Sequence, residues 1–372
     1  MEMWLPILFS IVMILVAGSI VLALPKITRK GLLFGFYVGE ALARGDGAAR
    51  ITHSWYRCMG LALFACAGAA AVMVAWGKPL AAIILPDAVL LLGLGRCYYV
   101  AHRAARELAA SAGSVVPPPP SVASLSPSQP SLALPILVLA IGLLAGAATV
   151  WYAWSNYPAL PERVPTHFTG SGKPDAWSDK SFASVMVLPL GALFTGAGMG
   201  ALACFMAKSK RALRLKGGDV SLAAQRRFRT AMVALISVEG LIVTAMLCVM
   251  SIDSIRVGLG IVEGQSMLSM YLAGALLLFT IIAIIYIAAR LGQGGSKLEA
   301  SVADSPLTDG LADNEKWRMG LFYYNPDDPS IFVEHRFGLG YTLNFANSKG
   351  VAFLVLFFAL VVVLPLILVG LQ

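Results

Sequence analysis

The chain has 372 residues, of which 58% are hydrophobic and only 13% charged. That balance lies outside the range of soluble domains and makes lipid the solvent for most of the chain. Its formal charge of +8 would point to a nucleic-acid partner only if the cations gathered on one soluble face, and their distribution along the chain says otherwise.

Apolar runs near twenty residues long recur, enough at about 1.5 Å per residue to cross a hydrocarbon core of about 30 Å. They fall at roughly 4–24, 59–76, 80–95, 132–151, 184–206, 230–252, 267–289 and 350–371. Because they are continuously apolar rather than alternating, a closed barrel is excluded and the backbone must satisfy itself within helices.

No basic residue precedes the first run, and Lys26, Arg29 and Lys30 follow it, so it reads as an uncleaved anchor with its N-terminus outside rather than as a signal peptide. The segment from Gly31 to Arg57, with the apolar start GLLFGFYVGEAL followed by a charged, glycine-containing stretch, is either an amphipathic element on the inner membrane surface, which is favoured, or a folded loop. The second and third runs are joined by Gly77-Lys78-Pro79, which makes them a tight hairpin. From Ser111 to Ser131 the sequence SAGSVVPPPPSVASLSPSQPS cannot bury a core and reads as an extended linker. With the N-terminus outside, 23 of the 28 Lys and Arg fall in inner loops, eight of them between 208 and 229. This agrees with the positive-inside rule and makes the basic loop a topological and anionic-lipid feature.

After the seventh run, GQGGSKLEASVADSPLTDG reads as flexible. Further along, Ile331 to Glu334 and Tyr341 to Phe345 look like two short strands around a glycine-bearing turn that needs a surface to lean on. The cluster Asn325, Asp327 and Asp328 lacks the spacing of a calcium loop and is better read as a proline-bounded turn. Gly196 and Gly200 fit close helix packing. Five cysteines lie in or beside predicted helices and none lies in the large outer loop, so no structural disulfide is expected.

The expected organisation is a three-helix membrane part (1–110), a Pro/Ser-rich cytoplasmic linker (111–131), and a helix pair (132–206) carrying an outer loop (152–183). A basic cytoplasmic loop with a helix pair (207–289), a cytoplasmic module (290–349) and a last transmembrane helix (350–372) complete it. The fold class is thus an all-α integral membrane protein with about eight transmembrane helices and a small cytoplasmic β-hairpin module. A multi-pass topology with both termini outside is expected.

The most distinctive segment is the outer loop LPERVPTHFTGSGKPDAWSDK, Leu160 to Lys180, where prolines and glycines force turns around His167, Asp175, Trp177, Asp179 and Lys180. Pro165, His167, Phe168, Gly172, Pro174, Asp175, Trp177 and Lys180 form a pattern, Pro-x-His-Phe then Gly-x-Pro-Asp-x-Trp-x-x-Lys. It resembles the signature of a bacterial membrane family of unknown function. The same domain occurs in the SdpI-like immunity proteins, which protect bacteria from a secreted killing peptide and take part in signalling its presence. GLFYYNPDDP and FVEHRFGLGYTLNF resemble a second, cytoplasmic module of unknown function. The characteristic second half of the SdpI-like proteins is not recognised here. The resemblance brings no established catalytic residue.

Two readings of the loop stand beside each other. His167, Asp175 and Lys180 hold the loop's own fold, or the loop is a recognition cap with Trp177 and Phe168 as apolar contacts and Asp175 or His167 as polar ones. A metal site on His167, Asp175 and Asp179 is a third and weaker option, since no ligand spacing supports it, and no metal is assigned. Within the apolar runs, Asp87 and Glu239 are costly unless neutral, paired or facing a polar cavity. They are read as a proton- or ligand-responsive pair or as carboxyls hydrogen-bonded to neighbouring helices. Neither a hydrolase nor a nucleotide-binding motif is present, so no enzyme, no catalytic residue and no cofactor is expected. The partners expected are the lipid bilayer and an extracellular peptide, with no nucleic acid. A sensor or immunity-type binder is preferred over a secondary transporter using Asp87 and Glu239: the outer-loop signature and the inner folded module favour the first, the mid-membrane acids favour the second, and no internal repeat of the kind many transporters show is visible.

Overall fold

The computed structural model describes residue 14 and residues 18–76, 79–113, 122–124, 130–209, 211–213, 218–300 and 313–370. Its principal helices, in chain order, are α1 (Asp46–Ala75), α2 (Pro79–Ser111), α3 (Ala133–Asn156), α4 (Phe182–Lys208), α5 (Gly218–Gly258), α6 (Leu268–Tyr286) and α7 (Ser348–Phe358). The strands are short: β1 (Leu32–Leu33), β2 (Phe36–Tyr37), β3 (Val122–Ser124), β4 (Arg163–Phe168), β5 (Pro174–Asp179) and β6 (Arg211–Leu213). They are followed by β7 (Trp317–Arg318), β8 (Phe322–Tyr323), β9 (Phe332–Glu334) and β10 (Tyr341–Leu343).

Among the described residues six helical segments are long and apolar enough to cross a membrane: Asp46–Met73, Ala133–Ala159, Phe182–Lys208, Ser221–Gly258, Leu268–Leu298 and Ser348–Ile367. They mark a multi-pass membrane protein. The expected count of eight is not confirmed among the described residues. The run expected at 4–24 falls mostly outside the described residues, which retain an apolar helix Gly18–Ile27. The run at 80–95 is the opening half of α2, which continues through Arg96, Arg103, Arg106 and Glu107. Its apolar part is too short by itself, and hydrogen bonding carries the helix on past it.

The chain divides into two compact units, one of residues 1–125, 210–225 and 290–347, the other of residues 126–209, 226–289 and 348–372. In the first, α1 and α2 pair so closely that a Cβ on Gly93 would lie 2.6 Å from the Ala62 Cβ. The same pairing sets Cys58 against Cys97 with Cα atoms 5.8 Å apart, and the two are joined in a disulfide. This corrects the expectation of no structural disulfide. Position relative to the outer loop was the wrong criterion, because helix pairing brought together two thiols 39 residues apart.

Gly31 to Val38 forms no amphipathic surface helix. It folds into the β1–β2 hairpin, whose turn residues Phe34 and Gly35 both have positive φ, 44° and 78°. That is the turn geometry whose twist suits a two-residue hairpin. Leu32, Leu33 and Phe34 are buried; the Phe34 ring packs on Trp55 (5.1 Å between centroids) and Phe337 (5.5 Å), and Phe337 packs in turn on Trp55 (5.8 Å) and Tyr98 (5.0 Å). A second hairpin, β7–β8, turns at Met319 and Gly320, again with positive φ. The two turns meet glycine to glycine: a Cβ on Gly35 would lie 2.8 Å from the Gly320 carbonyl oxygen. The Tyr98 hydroxyl donates to the carbonyls of Met319 (2.8 Å) and Phe34 (3.2 Å), and His102 Nδ1 donates to Phe34 O at 2.8 Å.

The expected strand pair at 331–345 is present as β9 and β10, antiparallel with Thr342 opposite Val333. It extends into a four-stranded sheet of order β10-β9-β6-β3. Its turn is clamped by the buried Gln293, whose Nε2 donates to His335 O and Gly340 O while its Oε1 accepts from Gly340 N. Glu334 pairs with Arg29 at 3.1 Å in a largely buried bridge. Buried Arg336 donates to Asn314 Oδ1 and Asp313 O and lies 4.8 Å from the Trp317 ring centroid. Burial lowers its pKa to about 9, opposed by Asp313, so the guanidinium stays charged at neutral pH. The 325–330 segment is a turn, as expected: Asn325 Oδ1 accepts from Asp327 N, and Asp328 Oδ1 from Ser330 N. The Asp328 carboxylate serves both the Ser330 N–H and the Tyr323 hydroxyl.

His102 and His335 give this unit a pH dependence. Burial is the main cause lowering both pKa values, and at His102 the Phe34 carbonyl opposes the shift. The folded state therefore takes up protons less readily than the unfolded chain, whose imidazoles titrate near 6.5. Stability is full above that value and is lost as pH falls below it toward the folded pKa. Protection factors of the amides in residues 313–347, taken relative to the intrinsic exchange rate at each pH, are expected to be unchanged between pH 8 and 7 and to fall below pH 6.5. His335→Phe is expected to flatten part of that acid limb, and an unchanged limb in this variant would remove His335 from the account.

In the second unit α3 and α4 pack through small residues. A Cβ on Gly196 would lie 2.8 Å from the Gly142 Cα, and one on Gly200 would lie 2.6 Å from the Leu139 Cα. The close packing expected of Gly196 and Gly200 is thus met on the facing helix, at Gly196 by another glycine, an arrangement that permits backbone approach in lipid. Phe353 and Phe357 of α7 flank α4, Phe353 stacking on Phe205 at 4.2 Å. Arg229, the last cation of the basic loop, is buried and donates to the carbonyls of Met206, Ala207 and Ser209 at the end of α4. It satisfies acceptors that a helix C-terminus leaves open.

Candidate functional site

The loop between α3 and α4 is an antiparallel hairpin, β4 with β5, in which Val164 faces Ser178 and Pro165 faces Trp177. The ladder shifts register between Pro165 and Phe168, which re-aims side chains on the bulged strand. Its tip closes through Gly172 N to Thr169 O (2.9 Å) and Thr169 N to Lys173 O (2.8 Å). Gly172 has φ +81°, a conformation that glycine adopts without Cβ strain.

Three anchors fix the hairpin over the helix ends. At its base, Lys180 Nζ donates to Leu160 O at 2.8 Å and lies 5.1 Å from the Tyr157 ring centroid. At its tip, Gln265 N donates to Gly172 O at 2.7 Å. Along β4, Ser254 Oγ of α5 donates to Pro165 O at 3.1 Å. The chain after α5 is held in turn by the buried Asp253, whose Oδ2 accepts from Ser266 N (2.8 Å) and Ser266 Oγ (2.6 Å). The N-terminus of α4 beneath the hairpin carries a capping box, Ser181 Oγ accepting from Ser184 N and Ser184 Oγ accepting from Ser181 N. Such a reciprocal cap satisfies donors that the first helical turn leaves open.

Beneath β4 lies a cavity of about 370 Å³. Leu160 and Val164 to Phe168 form its roof, the first turns of α4 (Ser184, Val185, Val187, Leu188) one wall, and the last turns of α5 (Met250, Ser251, Ser254, Ile255) with Gln265 the other. The surface is mainly apolar with a few converging hydroxyls, the usual make-up of a small-molecule pocket.

The sequence-derived residues divide here. His167 and Phe168 line the cavity. Asp175 lies behind His167, accepting from its Nδ1 at 2.5 Å. Trp177 is exposed on the hairpin and takes no part in the lining, while Lys180 is spent on holding the base. Among the described residues no group of three or more His, Cys, Asp or Glu gathers as metal ligands would. Asp87 belongs to the first unit and is exposed, with Cys66 Sγ donating to the adjacent Pro86 O. Glu239 belongs to the second and accepts from Thr280 Oγ1 of α6 at 2.8 Å.

Ser251, Asp253, Ser254 and Gln265 do not stand out in the sequence. A signal existed: α5 carries hydroxyls at Ser237, Thr244 and Ser251 in a seven-residue spacing, and all three are buried. Seven residues are close to two helical turns, so they share one face.

Residues 143–193 match a domain of unknown function, DUF1648, and residues 326–351 match a family of unknown function, DUF5808. The first match covers the end of α3, the hairpin and the start of α4; the second covers most of the 325–330 turn, β9, β10 and the first residues of α7. No curated protein and no solved structure matches the chain.

Proposed function

We propose that this protein is a sensor or immunity-type binder of a bacterial plasma membrane, with both termini outside, that captures an extracellular peptide or small molecule at the 163–179 hairpin. The observation that carries this reading is a cavity roofed by the hairpin itself, with His167 and Phe168 in its lining and Asp175 backing the histidine. A loop that served only to connect α3 and α4 would need neither the tip bond to Gln265 nor the side-chain bond from Ser254. The Pro-x-His-Phe and Gly-x-Pro-Asp-x-Trp-x-x-Lys pattern, shared in resemblance with SdpI-like immunity proteins, supports a role in meeting a secreted factor.

The test is survival of a deletion strain against secreted antimicrobial peptides, complemented with wild type, His167→Ala or Asp175→Ala. Deletion is expected to sensitise cells, wild type to restore them, and both variants to reach the membrane yet fail to restore. Unchanged sensitivity on deletion, or full rescue by both variants, refutes the reading.

A further inference from the structure

The three hydroxyls on one face of α5 are not used alike. Ser237 Oγ donates to Val233 O and Thr244 Oγ1 to Gly240 O, each at 2.7 Å, the ordinary bond of a helical hydroxyl to the preceding turn. Ser251 is just as buried, at 1% exposure, and its Oγ has no partner among the described residues. It is also the one of the three that lines the cavity. A buried hydroxyl without a partner is costly and calls for an explanation at its site.

The other polar groups of the lining are largely engaged. Ser254 donates to Pro165 O, Ser184 Oγ to Asp179 O, and Gln265 Nε2 to Met250 O, while the Thr166 and Ser178 hydroxyls bond each other. No Lys, Arg, Asp or Glu lines the cavity, and its one imidazole, His167, is already bonded to the Asp175 carboxylate, so a charged guest would lose its hydration with no free counter-charge to meet it. The volume of about 370 Å³ is near the lower end of the roughly 300–1,000 Å³ common for small-molecule pockets.

We propose that this cavity is a binding site for a small uncharged amphiphile, an apolar body bearing one hydroxyl or carbonyl oxygen, with that oxygen bonded to Ser251 Oγ and the body against Val185, Leu188 and Ile255. The proposal rests on the hairpin being a recognition element and narrows what it admits. The narrow volume and uncharged lining favour such a molecule over a segment of peptide.

The test uses the full chain in nanodiscs and a photoreactive diazirine analogue of 1-decanol, with labelled positions mapped by mass spectrometry. Adducts are expected on peptides containing residues 164–168 and 250–255, displaced by excess 1-decanol and not by decanoate at pH 8. Val185→Trp, which fills the cavity, is expected to abolish them. Ser251→Ala removes only an unpartnered oxygen, so it should leave thermal stability intact while weakening 1-decanol competition about fivefold, the equivalent of one hydrogen bond. Labelling spread over the lipid-facing helix surfaces, equal competition by decanoate, or unchanged affinity in Ser251→Ala would each overturn the proposal. If the probe fails to bind while His167→Ala and Asp175→Ala still fail to protect cells, the ligand class is wrong and the role of the hairpin stands. Specific probe binding without a survival phenotype has the opposite meaning.

Discussion

Replacing Asn344 with leucine is expected to destabilise the first unit by about 3–4 kcal/mol, because several buried backbone groups lose their partner at once. Asn344 is fully buried. Its Nδ2 donates to Asn325 O (2.8 Å) and Asp328 O (2.9 Å), and its Oδ1 accepts from Asn325 N (3.0 Å) and Ala346 N (3.2 Å). A side chain of similar volume but no polar atoms leaves Asn325 N, Ala346 N and Asp328 O without this partner, while Asn325 O keeps its bond from Asp328 N (3.3 Å), at about 1–3 kcal/mol for each group that water cannot reach. Hydrogen exchange of residues 313–347 in the nanodisc-embedded protein measures the effect. Asn344→Asp keeps the acceptor and loses the donor, so it should fall between wild type and Asn344→Leu. A leucine variant with native protection would show that this turn is held by something other than Asn344.

The second large effect is expected at the contact of α3 with α4. Gly196→Leu places a branched side chain where a Cβ alone already meets the Gly142 backbone at 2.8 Å, and no rotamer escapes a clash that begins at Cβ. Separating the helices should cost about 2–3 kcal/mol, the upper part of the range for overpacking. The first turns of α4 form one wall of the cavity, so binding there should fall together with resistance to unfolding in dodecyl sulfate. Gly191, on the same helix, has nothing within 4 Å of a built Cβ, and Gly191→Ala should be neutral or slightly stabilising through helix propensity. Equal midpoints for Gly196→Leu and Gly191→Ala would contradict the packing argument.

Much of the architecture was legible because one physical term dominates it. Continuous apolar runs have few alternatives to a helix in lipid, so six of the expected runs reappear within helices long enough to span. The strand pair at 331–345 was legible for a related reason, since β-branched and aromatic residues around a glycine-rich turn have few other folds. Less legible were the ends of elements. Helix α1 begins at Asp46, well before its apolar run, and carries Arg50, His53 and Arg57 within it, because a helix once nucleated propagates through residues that lipid would reject.

The candidate site was legible only in its roof. Turn chemistry and the pattern of Pro165, His167, Phe168, Gly172, Pro174 and Asp175 marked the hairpin, and a local signal suffices for a local structure. Its walls come from α4 and from residues 250–265, whose hydroxyls and amide are unremarkable along the sequence and gain meaning only when brought beneath β4. Trp177 drew attention by its type, yet the pairing of β4 with β5 leaves it exposed.

By itself, then, the sequence determined that the chain lives in a membrane, where most of its helices run, and which loop is unusual, since each depends on composition or spacing over a short window. Only the tertiary structure decided that Cys58 meets Cys97, that Tyr98 holds two glycine turns together, and that Ser251 rather than Ser237 or Thr244 faces a cavity. Those outcomes depend on the register between elements far apart in the chain. Register is set by the summed packing of whole helix faces, which no short window of residues contains.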